Sequence, residues 1–272
     1  MLSLREGSVI MIDNQTRLGI IGGTGMLGRA IAEGVLASGH PPSRLWVSNR
    51  SGDASGLPDG VTATKDNQLL AESCDLVLLS VPPAAADSIN IHAPDRLVVS
   101  VMAGVALERL TALTGARRVV RAMSSPAAAR SLAYSPWISA SPLDVTDRSR
   151  ITLLFEACGV TDEVYEEAHI EHFTALTGPV PGFVAYLAEC MADHATVHGI
   201  PEDVADRATR QLFLAAGTML AADAPSPAEH VQEMIDYAGT TAAGLVVMRD
   251  GPLRDAIAAG LDSAIARTRT IG

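Results

Sequence analysis

Leu18-Gly19-Ile20-Ile21-Gly22-Gly23-Thr24-Gly25-Met26-Leu27-Gly28 runs directly into Arg29-Ala30-Ile31-Ala32. A short apolar run, a bend rich in glycine and an amphipathic run follow one another, which is the order strand, turn, helix. Gly23, Gly25 and Gly28 have the spacing G-x-G-x-x-G. In that spacing one glycine makes the tight turn, the next lets backbone approach a pyrophosphate, and the third lets helix pack close to strand. The helix then offers unpaired N–H groups and the positive end of its dipole to the phosphates. Gly23, Thr24, Gly25, Met26 and Leu27 are the candidate pyrophosphate-binding residues.

The same alternation continues beyond the bend. Apolar runs at Leu18–Ile21, Leu45–Ser48, Val61–Ala63, Leu76–Val81, Leu97–Val101, Val119–Ala122 and Tyr134–Ser139 read as strands. Helical patterns at Met26–Ser38, Asn67–Glu72, Ala84–Asn90, Ala106–Thr114 and Thr146–Cys158 separate them. Several strands are apolar throughout, as strands buried on both faces must be. Strand–helix alternation implies parallel crossover units and an α/β, doubly wound sheet of the Rossmann type. After about residue 163 the pattern becomes helical only: Phe183–His198, Pro201–Ala222, Pro227–Tyr237, Thr240–Met248 and Pro252–Arg267. Pro201, Pro227 and Pro252 suit first turns, where a missing N–H costs nothing. The expected division is residues 17–163 for the nucleotide domain and 164–272 for the helical domain.

Composition narrows the function classes. The 272 residues carry a net charge of −11, all of it after Val160, which disfavours a nucleic-acid surface. Lys65 is the only lysine and stands far from the glycines, so a Walker-type phosphate loop is excluded. No apolar run is long enough for a bilayer, and Met1 to Thr16 lack the basic start, apolar centre and cleavage site of a secretory signal. The expectation is a cytoplasmic protein with no membrane and no nucleic-acid partner. Cys74, Cys158 and Cys190 read as buried or partly buried thiols in a reducing compartment. His169/His172 and His194/His198 have helical metal spacing but lack an H-E-x-x-H motif, so surface or core histidines, and no metal, are expected.

The coenzyme type is legible at the end of the second strand. An NAD-selective fold places Asp or Glu there for the ribose hydroxyls. Here stand Ser48-Asn49-Arg50-Ser51, with no carboxylate to repel a 2′-phosphate, an arginine to pair with it and hydroxyls to donate to it. The alternative is a solvated turn with an incidental arginine; position and residue type together favour NADP. Asn67 suits the adenosine end, and Val81, Pro82, Met102 and Ala103, at two further strand ends, suit the nicotinamide side.

At this point the chain resembles the pyrroline-5-carboxylate reductases, NAD(P)H-dependent imine reductases that make proline. The matching segments keep the family's order: the glycine turn, Ser48-Asn49-Arg50-Ser51, Asp66-Asn67, Leu79-Ser80-Val81-Pro82, Ala103-Gly104-Val105, Arg121-Ala122-Met123, Thr174-Ala175-Leu176-Thr177-Gly178 and Ala238-Gly239-Thr240-Thr241-Ala242-Ala243-Gly244-Leu245. The last resembles the family's Gly-Gly-Thr-Thr-x-x-Gly-Leu. The resemblance implies that Gly239, Thr240 and Thr241 grip the substrate and that Thr241 positions the imine nitrogen. It further implies a helical dimerisation domain, a homodimer or higher homo-oligomer, and an active site between one subunit's nucleotide domain and helices of the dimer module. The implied reaction is hydride transfer from NADPH to a small cyclic imine, pyrroline-5-carboxylate or a related pyrroline. A threonine at that junction also suits a plain helix N-cap.

Departures from the family accompany the matches. The bend reads Gly-Gly-Thr-Gly, as in reductases that pass hydride between NADP and a deazaflavin. Pro82 replaces a family lysine, and Asp236-Tyr237 stand where the family has small residues. A carboxylate aimed inward there would repel an acidic substrate; Tyr237 becomes a candidate proton donor. Two rival readings follow: an NADP-dependent oxidoreductase using a deazaflavin or another acceptor, and a non-catalytic NADP-binding protein.

Overall fold

The computed structural model describes residues 15–54 and 56–271. Met1–Asn14, most of the stretch read above as carrying no secretory signal, lies outside them, as does Gly272, the last residue of the expected second domain. The elements are β1 (Leu18–Ile21), α1 (Met26–Ala37), β2 (Leu45–Ser48), β3 (Thr62–Thr64), α2 (Asn67–Ser73), β4 (Leu76–Leu79), β5 (Leu97–Ser100), α3 (Leu107–Thr114), β6 (Arg118–Ala122), β7 (Ala133–Tyr134), β8 (Trp137–Ser139), α4 (Val145–Glu156), β9 (Gly159–Val160) and α5 (Glu167–Leu176). Then come α6 (Gly182–Val197), α7 (Glu202–Ala222), α8 (Pro227–Asp236), α9 (Thr240–Asp250) and α10 (Leu253–Thr268).

The main sheet has the order β3-β2-β1-β4-β5-β6-β8. Strands β1 to β6 pair in parallel, and β8 joins β6 antiparallel at the edge. Every residue of β1, β4 and β5 is buried, because helices cover both faces. Alternate residues serve opposite faces. Leu18, Ile20, Leu76, Leu78, Leu97 and Val99 pack with Ile31, Val35, Ile151 and Phe155. Ile21, Val77, Leu79 and Val98 pack with Leu70 and Leu110 on the other side. The strand order reverses between β1 and β4, and such a reversal opens a crevice at the carboxyl ends of the strands.

Three local expectations change. Tyr134–Ser139 is not one strand: β7 pairs with β9, β8 pairs with β6, and Pro136, which has no N–H to give a ladder, lies between them. Ala84–Asn90 is not an α-helix but a six-residue 3-10 turn, Pro83–Ser88, entered through Pro82 and Pro83. Helix α5 was not anticipated: only Ile170 and Ala175 of it are buried, too few for a clear periodic signal.

Two compact units result. One comprises residues up to Pro179 together with Ser263 onward, the other Val180 to Asp262. The expected division at 163/164 separated α5 from the sheet, whereas α5 packs on β6 and β8 and its Glu171 holds Arg269 near the chain end at 2.7 Å. The second unit holds α6 to α9 and most of α10, and none of the 16 residues of α6 is buried. Phe183, Leu187, Met191, Leu212, Met219 and Leu220 are all exposed on α6 and α7. Cys74 and Cys158 are buried, and burial pushes both thiols up to about 12; Cys190, contrary to expectation, is exposed on α6.

Candidate functional site

A cleft of about 850 Å³ opens at the switch point. It is lined by the ends of four adjacent strands: Ile21 at the end of β1 and Gly22 after it, Ser48 at the end of β2 with Asn49 and Arg50 after it, Lys65 after β3, and Ser80, Val81 and Pro82 after β4. Thr24, Gly25, Asn67, Ala85 and Ser88 complete it. The strand ends stay level because pairing continues one residue past them. Gly22 N–H donates to Ser48 O at 2.9 Å, Ser80 N–H to Ile21 O at 2.9 Å, and Asn49 N–H to Thr64 O at 3.2 Å.

The glycines make the bend possible, with roles shifted by one position from the motif reading. Gly22, not Gly23, holds the left-handed backbone of the tight turn, at φ +83°. A Cβ on Gly22 would stand 2.4 Å from Ser80 O, and one on Gly28 would stand 2.4 Å from Gly22 O. Gly23 instead packs on the Val47 side chain, which a Cβ would meet at 2.6 Å. Helix α1 starts at Gly25 with no side-chain cap and no acidic residue in its first turn. The N–H groups of Met26, Leu27 and Gly28, next to the cleft-lining Gly25, have no internal backbone partner among the described residues, as an anion site requires. The residues present fit a dinucleotide pyrophosphate.

The turn after β2 is more committed than its sequence suggests. Ser48 is buried, and its hydroxyl donates to Asn67 Oδ1 at 2.7 Å, while Asn67 Nδ2 donates to Ile89 O at 2.9 Å. Asn49 Nδ2 donates to Asp53 O at 2.6 Å; its Oδ1 accepts from Ser51 Oγ at 2.8 Å and from Gly52 N at 2.6 Å. Of the four residues, Arg50 keeps a polar side chain free of hydrogen bonds and ion pairs among the described residues. Gly23, Met26, Leu27, Ser51, Met102 and Ala103 do not line the cleft, and Met102 is buried. Gly22, Lys65, Ser80, Ala85 and Ser88 line it unannounced. For Gly22, Lys65 and Ser80 a position just past a strand end was the available signal; Ala85 and Ser88 lie in the 3-10 turn Pro83–Ser88, which the sequence did not mark as a site.

In the second unit, Gly239 is the N-cap of α9, and no side chain caps that helix. Thr240 and Thr241 are thus its first two residues rather than its cap, and their exposed hydroxyls make no hydrogen bond among the described residues. Tyr237 is 85% exposed, and its ring lies against Gly239, where a Cβ would meet Cδ1 at 3.3 Å. Asp236 accepts from Gln232 Nε2 at 2.7 Å, so its carboxylate is bonded back along α8. Ala238 between them has φ +56°, left-handed for a residue with a Cβ. His194 and His198 stack with ring centres 4.3 Å apart, and no group of three or more potential metal ligands exists among the described residues. Among the described residues no helix is long and apolar enough to cross a membrane.

Sheet order, glycine bend and uncapped helix start define a Rossmann-type dinucleotide-binding protein with an appended helical unit. Residues 17–104 match the family model "NADP oxidoreductase coenzyme F420-dependent", and residues 167–271 match "Pyrroline-5-carboxylate reductase dimerisation". The chain thus resembles pyrroline-5-carboxylate reductases in its helical unit and aligns along nearly its whole length with proteins of that name. It is 28% identical over 270 residues to a pyrroline-5-carboxylate reductase of Pisum sativum, covering 96% of this chain and 98% of that one. It is 29% identical over 259 residues to that of Escherichia coli (strain K12), covering 89% and 93%. Among solved structures, a pyrroline-5-carboxylate reductase from Coxiella burnetii superimposes with a TM-score of 0.83 at 26% identity, over 94% of this chain and 98% of that one.

Proposed function

We propose that this chain is an NADPH-dependent reductase of the C=N bond of pyrroline-5-carboxylate, in the last step to proline, or of a closely related pyrroline. The observation that carries the reading is the carboxylate-free cleft at the β1/β4 switch point, in a chain aligned nearly end to end with reductases of that name. The coenzyme supplies the hydride. The chain's own residues bind and orient. Thr24 and Gly25 with the start of α1 hold the pyrophosphate, Asn67 stands at the adenosine side, Arg50 takes the 2′-phosphate, and Val81 and Pro82 give an apolar wall for the nicotinamide. Thr241 holds the imine nitrogen through its free hydroxyl, the unpaired N–H groups at the start of α9 receive the substrate carboxylate, and Tyr237 supplies a proton. Catalysis is then mostly proximity and orientation.

The helical unit supports a homodimer. Its exposed Phe183, Leu187, Met191, Leu212 and Leu220 form too large an apolar display for an isolated surface, and residues 167–271 match a dimerisation model. Purified protein given NADPH and pyrroline-5-carboxylate, with a panel of pyrrolines lacking the carboxylate, tests the activity. Loss of NADPH absorbance with proline formation is expected; no oxidation with any cyclic imine would remove the reading. A second reading, hydride exchange with a deazaflavin, is favoured by the match of residues 17–104, and the same assay with a deazaflavin acceptor decides it.

A further inference from the structure

Arg50 and Lys65 stand on neighbouring strand ends, the first two residues past β2 and the second directly after β3. Those strands are in register at Ser48 and Thr64, so both cations enter the same end of the cleft. Among the described residues neither makes an ion pair or side-chain hydrogen bond, and no carboxylate lines the cleft. The nearest acid in sequence, Asp66, is turned away to cap α2, accepting from Gln68 N at 2.9 Å and Leu69 N at 3.0 Å.

Lys65 is seated rather than loose. Gly52 has φ +74°, and a Cβ on it would meet Lys65 Cγ at 2.7 Å, Cε at 3.1 Å and Cδ at 3.4 Å. The aliphatic stem therefore lies along the bare Gly52 backbone. The turn that presents Gly52 is fixed by Asn49, which accepts the Gly52 N–H and holds Asp53 O. The hydroxyls of Ser48 and Ser51 and the amide of Asn49 are thus engaged within the turn and with Asn67, and the turn's product is a shelf for the ammonium.

We propose that Lys65 is a specificity-determining residue for the phosphorylated coenzyme, forming with Arg50 a two-cation subsite for the adenosine 2′-phosphate. This rests on the NADP reading of the cleft and deepens it. A planar guanidinium and a compact ammonium on adjacent strands can bracket one phosphate dianion, each supplying charge-assisted hydrogen bonds. An unphosphorylated ribose offers them nothing.

The test is calorimetric binding of adenosine 2′,5′-bisphosphate and of AMP to the full-length protein, its Lys65→Gln and its Lys65→Arg variants. Lys65 is exposed, so the substitutions leave the core intact. The wild type should prefer the bisphosphate. Lys65→Gln should lose about tenfold in affinity for the bisphosphate and none for AMP, and Lys65→Arg should keep most of the preference. Unchanged bisphosphate affinity in Lys65→Gln, or an equal fall for AMP, overturns the role of Lys65 while leaving the NADP reading standing. A wild type that binds AMP as well as the bisphosphate overturns both.

Discussion

Arg121 Nη1 donates to Glu167 Oε1 across 2.7 Å, and the same oxygen accepts the backbone N–H of Leu107 at 2.8 Å. One carboxylate thus ties β6, α5 and the start of α3 together. Arg121 is 2% exposed, and its Nε has no hydrogen-bond partner among the described residues. Removing the acid leaves a buried guanidinium unpaired. Glu167→Ala should cost about 3 kcal/mol of stability, near the lower end for breaking a buried pair because Glu167 keeps some solvent contact. Arg121→Met combined with Glu167→Ala should recover part of that loss. Urea denaturation of the two single variants and the double variant checks this, and strictly additive losses would contradict it.

Gly22 carries the tightest constraint in the bend. Alanine there must adopt φ +83° and put its Cβ 2.4 Å from Ser80 O, which is backbone and cannot swing away. Gly22→Ala should lose about 2 kcal/mol of stability or more and weaken coenzyme binding, because β1 and β4 must part to admit it. Gly199→Ala is the control. Its φ of +86° carries the same backbone strain with nothing within 4 Å of the added carbon, so it should be milder and leave coenzyme binding intact. Thermal melts and coenzyme titration separate the two.

The strands of this fold were legible because burial on both faces demands unbroken apolar runs, as in Leu76–Leu79 and Leu97–Ser100. Helix α5 was hidden because an ion pair and two buried residues hold it, not an apolar stripe. The cleft was legible as a place but less so as a set of groups. Spacing marked Gly25 and Arg50, yet only the folded backbone shows that Gly22 takes the left-handed turn. Likewise Ser48 reads as a phosphate donor until its hydroxyl is seen bonded to Asn67, 19 residues along the chain. Hydrogen-bond commitments of that kind depend on register between strands, which composition does not encode.

His40 gives the protein a dependence on pH. The ring is 1% exposed, and neither nitrogen has a hydrogen-bond partner. Burial holds its pKa below the ordinary 6.5, outweighing the backbone of Arg44, which acts to raise it, while the charge of Arg44 adds a smaller lowering. The folded state therefore favours neutral imidazole, while the unfolded chain takes up a proton once pH falls below 6.5. More protons on the unfolded side means that stability falls with falling pH, by up to about 1.4 kcal/mol per unit, and is fully present above that value. Urea midpoints at pH 7.5 and pH 5.5 should differ in the wild type, and His40→Leu should flatten the difference.

Ala238 stores strain beside the proposed substrate residues. Its φ of +56° costs a residue with a Cβ about 1–2 kcal/mol. Glycine removes that cost but adds about 0.4–1 kcal/mol of unfolded-chain entropy. Ala238→Gly should therefore raise stability by less than about 1 kcal/mol, read as a small upward shift in melting temperature. A fall would mean that contacts of the methyl group outweigh the backbone strain.

Thr241 separates a catalytic role from a merely structural one. It is the second residue of α9, its hydroxyl is exposed, and the cap position belongs to Gly239, so its loss leaves the helix start unchanged. If that hydroxyl holds the imine nitrogen while hydride arrives, its removal acts on the transition state and not on the coenzyme. Thr241→Ala should lower kcat about 100-fold, the scale of one well-placed hydrogen bond, with NADPH affinity unchanged. Thr241→Ser keeps the oxygen and should retain most of the rate. The discriminating comparison is kcat against NADPH Kd across the three proteins. Equal losses in both, or a serine variant as slow as the alanine one, would place the threonine in the scaffold and leave the nitrogen to be held by another group.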